Sequence, residues 1–220
     1  MTYSTSICIT LFAGLMLGPL LIAAQELQLV QSSSIAIDAP EDYRAYYAKL
    51  EGEAHVYTIN ADDPFRLSAA LLVPYVEGAK TDISAAIVDP SKPDVPIALL
   101  DGTGQEWIPF VDTAGRDDYL AGPLFKAGVD RGTYEIRVWS SNNDSAYVLV
   151  IGEEGSFSIG EIIKRYTTLP AIKSEFFGKS PSSAFLTPLL LWPILGLVTA
   201  LLVVGIVTGI LLRRRTHTIS

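Results

Sequence analysis

The chain reads as mainly β: an antiparallel β-sandwich or jelly-roll ectodomain, then short amphipathic helices, then one C-terminal transmembrane helix. Three observations predict this. About nine short β-rich runs follow one another with turn residues between them and no helical pattern interrupting. A 24-residue run without charge, 189–212, lies near the C-terminus. The single cysteine, Cys8, sits in the first apolar segment, so the roughly 160 residues that follow must stand on packing rather than on disulfides.

The N-terminal element is an apolar stretch over 7–24, broken by Gly14, Gly18 and Pro19 and closed by Ala23-Ala24-Gln25. This is the pattern of a secretory signal peptide over 1–24, cleaved after Ala24. Ile22 stands three residues before that cut, where a small residue is favoured, and the MTYSTS start carries no Lys or Arg. An uncleaved anchor, giving a hairpin of two spans, is the alternative reading. Cys8 lacks the surroundings of a lipoprotein cleavage box and reads as a passive apolar side chain.

The extracytoplasmic sandwich is expected over 25–157. Its runs fall at 34–39, 43–50, 55–60, 65–73, 82–88, 97–100, 107–111, 133–140 and 146–151. The clearest is TYEIRVWS, where Tyr134, Ile136 and Val138 alternate with Glu135, Arg137 and Trp139; one face is apolar, as in a half-buried strand. SNNDS then breaks the strand and AYVLVIG follows as its expected hairpin partner. Asn143-Asp144-Ser145 also spells a glycosylation sequon, a triplet that chance supplies readily.

The segment GTYEIRVWSSNNDSAYVLVIG, 132–152, resembles the closing GxYxxxV…YxLxV hairpin of bacterial pre-peptidase C-terminal domains and similar small secreted jelly rolls. The resemblance implies the fold. It does not bring a calcium site, because the Asp-x-Asp strand of those domains is missing and TDISAAIVD is the nearest stretch. The overall layout is also similar to membrane-anchored prokaryotic surface proteins, a likeness that names no activity.

After the sandwich comes a membrane-proximal helical segment and spacer over 158–183. Ser158 and Glu161 fit a capping box, and Ile159, Ile162, Ile163 and Tyr166 follow at helical spacing. Pro170 is placed to open a second helix carrying Leu169, Ile172 and Phe176, ended by Gly178, with KSPSS as a polar spacer. The apolar stripe either packs on the sandwich, the usual outcome, or docks on the bilayer or a partner.

The transmembrane helix is expected within 184–212. Sixteen Leu, Ile and Val residues in its uncharged run favour insertion by at most about 5 to 10 kcal/mol, and a buried soluble helix would need a polar face that is missing. Trp192 fits an interfacial anchor. Gly205 and Gly209 have the spacing that lets two membrane helices approach, which raises a homodimer through that face. Arg213, Arg214 and Arg215 place the basic tail, 213–220, in the cytoplasm.

Ahead of the tail stand 24 acidic against 13 basic side chains, a net charge of −11. Such a field disfavours nucleic acid and suits solubility, divalent cations or basic partners. His55 and His217 are the only histidines, so a zinc site of two or three histidines cannot be assembled, and a Ser-His-Asp triad would rest on His55 alone, with no G-x-S-x-G elbow beside it. Glu106 beside Trp107, and Asp112, Asp117 and Asp118, are the first places to look for a glycosidase-like carboxylate pair; turn positions explain the same residues structurally. Asp101, Glu106, Asp112, Asp117 and Asp118 are likewise the candidate calcium ligands, although DGTGQE lacks the spaced ligands of a calcium loop and reads as a hairpin turn. No catalytic, cofactor or metal residue is assigned from this. The expected role is a binding, adhesion or scaffold module with the bilayer as one partner and a protein or glycan as another; an extracytoplasmic hydrolase is the alternative.

Overall fold

The computed structural model describes residues 26–153 and 159–216, apart from the side chains of 159–165 and 210–216. The expected signal segment, the Ser158 and Glu161 capping box and His217 therefore lie outside the described residues.

Two sheets face each other. One has the order β1 (Glu26–Leu29), β3 (Arg44–Lys49), β11 (Ala146–Ile151), β5 (Phe65–Pro74), β9 (Asp117–Val129), β8 (Ile108–Asp112). The other runs β2 (Ser34–Ile37), β4 (His55–Ala61), β10 (Gly132–Trp139), β6 (Ser84–Val88), β7 (Ala98–Leu100). All nine runs expected from the sequence are strands, and β1 and β9 are additional.

The sheets are mixed rather than purely antiparallel. β1 pairs with β3, and β2 with β4, in parallel. The chain enters by passing from one sheet to the other at each turn and reversing as it goes, so strands that share a sheet are two steps apart and point the same way. β10 and β11 are expected as a hairpin. They lie in opposite sheets, and the apolar faces of both strands, Ile136 and Val138 on one and Tyr147, Leu149 and Ile151 on the other, are buried in one inner core. The alternation that suggested side-by-side pairing is satisfied face to face. The DGTGQE segment is likewise a crossover from β7 to β8 in the other sheet, not a hairpin turn.

At its bend the SNNDS turn holds Asn143 at φ 49°, and the Asn143 side-chain oxygen accepts from the Ser140 N–H at 3.0 Å. Ser145 is buried and donates to Asp82. Burial pushes the Asp82 carboxyl up, but hydrogen bonds from Ser141 and Ser145 outweigh it and hold it below the usual carboxylate range.

β9 is long but locally irregular. Between Ala70 and Leu72 of β5 the register slips, with Gly122-Pro123 of β9 in the gap, a bulge that accommodates a residue without an N–H. Gly122 has a packing reason as well, since a Cβ there would lie 2.5 Å from the Trp107 ring.

A second apolar cluster covers part of the outer face of the six-stranded sheet. Helix α1 (Ile159–Glu175) lays Leu169 and Ile172, with Phe176 just past its end, in one cluster with Ala45, Tyr47 and Val148; each such side chain contributes about 1.5–3 kcal/mol when fully buried. Leu169, Ile172 and Phe176 pack on the sandwich, so these three are not free to dock elsewhere. Pro170 lies inside one continuous helix instead of opening a second one: buried Leu169 and Ile172 on either side hold the backbone in line despite the lost hydrogen bond. Gly178, at φ 59°, takes the left-handed turn that ends it.

The expected spacer is ordered as well. A 3₁₀ helix, Pro181–Leu186, buries Ala184 in the same cluster. Helix α2 (Pro188–Thr216) begins there with Leu189 and Leu190 buried, at 4% and 0% exposure. Its Pro188–Gly209 portion, with a mean hydropathy of 2.6 over its most apolar 18-residue window, is long and apolar enough to cross a membrane.

Candidate functional site

The suspected acidic group of residues 112–118 forms the turn between β8 and β9, and the fold uses its members separately. Asp112 accepts from the N–H groups of Ala114 and Gly115 at 3.0 and 2.8 Å. Asp117 is its cross-strand partner and is 1% exposed. Lys173 of α1 donates to one Asp117 oxygen at 2.6 Å and Lys179 to the other at 2.9 Å. Lys173 also donates to the Gly115 carbonyl, and Lys179 to that of Arg116 at 3.1 Å. Burial pulls the Lys173 ammonium below its ordinary value, and Asp117 works against that pull. Phe177 stacks edge-on against Tyr119, centroids 5.3 Å apart, and Lys179 lies 5.3 Å from the same ring. Asp118 points to the opposite face and is exposed.

This is a clasp rather than a catalytic pair. It fastens the β8–β9 turn to the end of α1, while the Leu189 N–H of α2 donates to the Ala114 carbonyl at 3.4 Å. No sequence signal pointed to Lys173 or Lys179 as its other half.

The remaining suspects are dispersed. Trp107 turns inward, donating from Nε1 to the Gly102 carbonyl at 2.8 Å and packing on the inner core, so it offers no open ring to a sugar. Glu106 is exposed beside it. Asp101 accepts from the Thr103 N–H and hydroxyl at 2.9 and 2.7 Å, closing its own turn. Among the described residues no three His, Cys, Asp or Glu side chains converge as a metal-holding group.

His55 is 6% exposed at the edge of a cavity of about 520 Å³ that Lys49, Glu51, Glu53 and Glu175 also line. Its Nδ1 lies 2.9 Å from the Tyr147 hydroxyl, which lies 2.9 Å from that of Tyr57. Burial lowers the imidazole below its ordinary value, with Glu51 pulling the other way. The native state therefore binds fewer protons here than the unfolded chain, whose histidine titrates near pH 6.5. The stability contributed is complete above about pH 6.5 and is lost as pH falls through the lower native value. The melting temperature of the native protein is expected to drop between about pH 7.5 and 5.5, and that of His55→Asn to change less over the same window in a thermal scan.

Two open depressions that sequence reasoning missed, of about 670 and 630 Å³, share Ile97 and Tyr134. The Pro-rich loop 89–97 forms one rim and leaves Val95 69% exposed. Tyr134 is fixed there, its hydroxyl donating to the Asp130 carbonyl at 2.7 Å.

No protein-family model matches the chain, and no curated protein matches it in sequence. Among solved structures it is similar to the pre-peptidase C-terminal domain of collagenase from Bacillus anthracis, at 13% identity and a TM-score of 0.34, covering 58% of this chain and 94% of that one. It is also similar to part of a beta-glucosidase from Paenibacillus barengoltzii, at 9% identity and a TM-score of 0.24, covering 57% of this chain and 13% of that one. Neither likeness carries an activity to this chain.

Proposed function

We propose that the chain is a type I single-pass membrane protein whose β-sandwich stands outside the cell as a non-catalytic accessory or scaffold module. The supporting observation is the shared cluster: Leu189 and Leu190 of α2 are buried with Leu169 and Ile172 of α1, with Phe176 just past its end, and with Tyr47 and Val148 of the sheet. A sandwich built this way is seated on its anchor instead of hanging from a linker, which suits a part that presents a surface at a set position. Arg213 to Arg215 favour the inward tail, and the 1–24 segment supplies export. The loop end around Val95, Ile97 and Tyr134 is the surface offered to a protein or glycan. A carboxylate-pair hydrolase draws no support from Asp112 and Asp117, which are occupied by turn amides and lysines.

Topology tests this reading. In a Cys8→Ser background, a membrane-impermeant maleimide is expected to label Ser91→Cys on intact cells and Ser220→Cys only after lysis. The reverse pattern would refute it. Mass spectrometry should find Gln25 at the mature N-terminus.

A further inference from the structure

The β8 edge of the six-stranded sheet is apolar and uncovered. Ile108 is 62% and Phe110 49% exposed. Phe110 pairs with Tyr119 across the ladder, with ring centroids 6.3 Å apart, so both lie on the face that α1 covers further along. The 3₁₀ helix leaves Phe185 and Leu186 exposed at 44% and 65%. The turn that follows β8 and the start of α2 meet, because the Ala114 carbonyl accepts from the Leu189 N–H.

An exposed apolar edge strand invites pairing unless something covers it. The bilayer is the cover the fold brings nearest, because the turn that follows β8 touches the first turn of the apolar helix α2. Arg116, at φ 57° in the same turn, is exposed, and a cation of this kind suits the headgroup level. Trp192, 49% exposed within the first turns of α2, marks the same level.

We propose that the β8–β9 turn and the 3₁₀ helix form a foot that rests in the bilayer interface, with Ile108, Phe110, Phe185 and Leu186 in contact with lipid. The proposal rests on the reading of α2 as the membrane anchor. The excess of acidic over basic side chains ahead of α2 disfavours attraction to anionic lipid, so the contact is apolar and is made with neutral membranes.

The chain has no cysteine besides Cys8, which permits a direct test. Full-length protein in the Cys8→Ser background, with a fluorophore on one introduced cysteine, is reconstituted in phosphatidylcholine vesicles. Brominated phosphatidylcholine is expected to quench labels on Phe110→Cys, Ile108→Cys and Leu186→Cys several-fold more than one on Ser91→Cys, and aqueous iodide several-fold less. Phe110→Cys and Ile108→Cys labels that behave like Ser91→Cys would overturn the foot. So would protection that depends on the protein-to-lipid ratio, which would assign the patch to a second copy. A label on Leu202→Cys separates the two readings: lipid quenching there with none at Phe110→Cys leaves the anchor standing without the foot, whereas none at either removes the anchor reading itself.

Discussion

Asp117→Ala is expected to lower the unfolding free energy by about 3–5 kcal/mol, the cost of leaving a buried cation without its counter-charge. The cause is the burial of Lys173, whose side chain is 2% exposed while that of Asp117 is 1% exposed. Removing the carboxylate strands the ammonium with the Gly115 carbonyl as its remaining partner. Lys179→Ala should cost much less, within about 1 kcal/mol, because its side chain is 40% exposed and water replaces what is lost. The double change Asp117→Leu with Lys173→Met should recover most of the deficit, since an apolar pair of similar volume avoids two desolvations. Urea unfolding of the purified full-length protein in detergent, followed by tryptophan fluorescence, measures the three variants against the native chain. A single mutant as mild as Lys179→Ala would show that water reaches Lys173.

The second large effect concerns the joint between sandwich and anchor. Ile172 is fully buried under α1, in a cluster distinct from the core between the sheets. Ile172→Asp should therefore release α1 from the sheet, at a cost of several kcal/mol for an unpaired buried carboxylate, while β4 and β10 stay folded. Hydrogen exchange distinguishes this from global unfolding: protection should fall in α1 and in the 3₁₀ helix and persist in β4 and β10. Loss of protection throughout would show that the two cores fold as one.

How far the sequence disclosed this arrangement depends on the range of the interactions. Strands that alternate, such as β10 with Tyr134, Ile136 and Val138, were visible because the pleat writes its period into neighbouring residues. β9 was hidden because Gly122-Pro123 punctuates it as a loop would, and the bulge that makes room for the pair depends on β5. The parallel pairs at the sheet edges and the separation of β10 from β11 are matters of which sheet a strand enters, and alternation is the same in either. Asp117 drew attention as one of several acidic residues, but its partner Lys173 lies 56 positions away on a helix whose contact face only the fold defines. Trp107 stands beside the suspect Glu106 in the sequence, but its ring turns inward where the distant Gly122 leaves room for it.

The hydrogen-bonded chain from His55 through Tyr147 to Tyr57 has a consequence for how the two sheets settle on each other. His55 and Tyr57 belong to β4 and Tyr147 to β11, so the chain spans the interior from one layer to the other. Apolar attraction has no direction of its own, so packing alone fixes the offset of the layers only through the fit of side-chain shapes. Three polar groups in a row are satisfied at one offset only, and any other leaves hydroxyls stranded in an apolar interior. The trio therefore acts as a key that sets the alignment of the layers, in a domain that has no disulfide to do so.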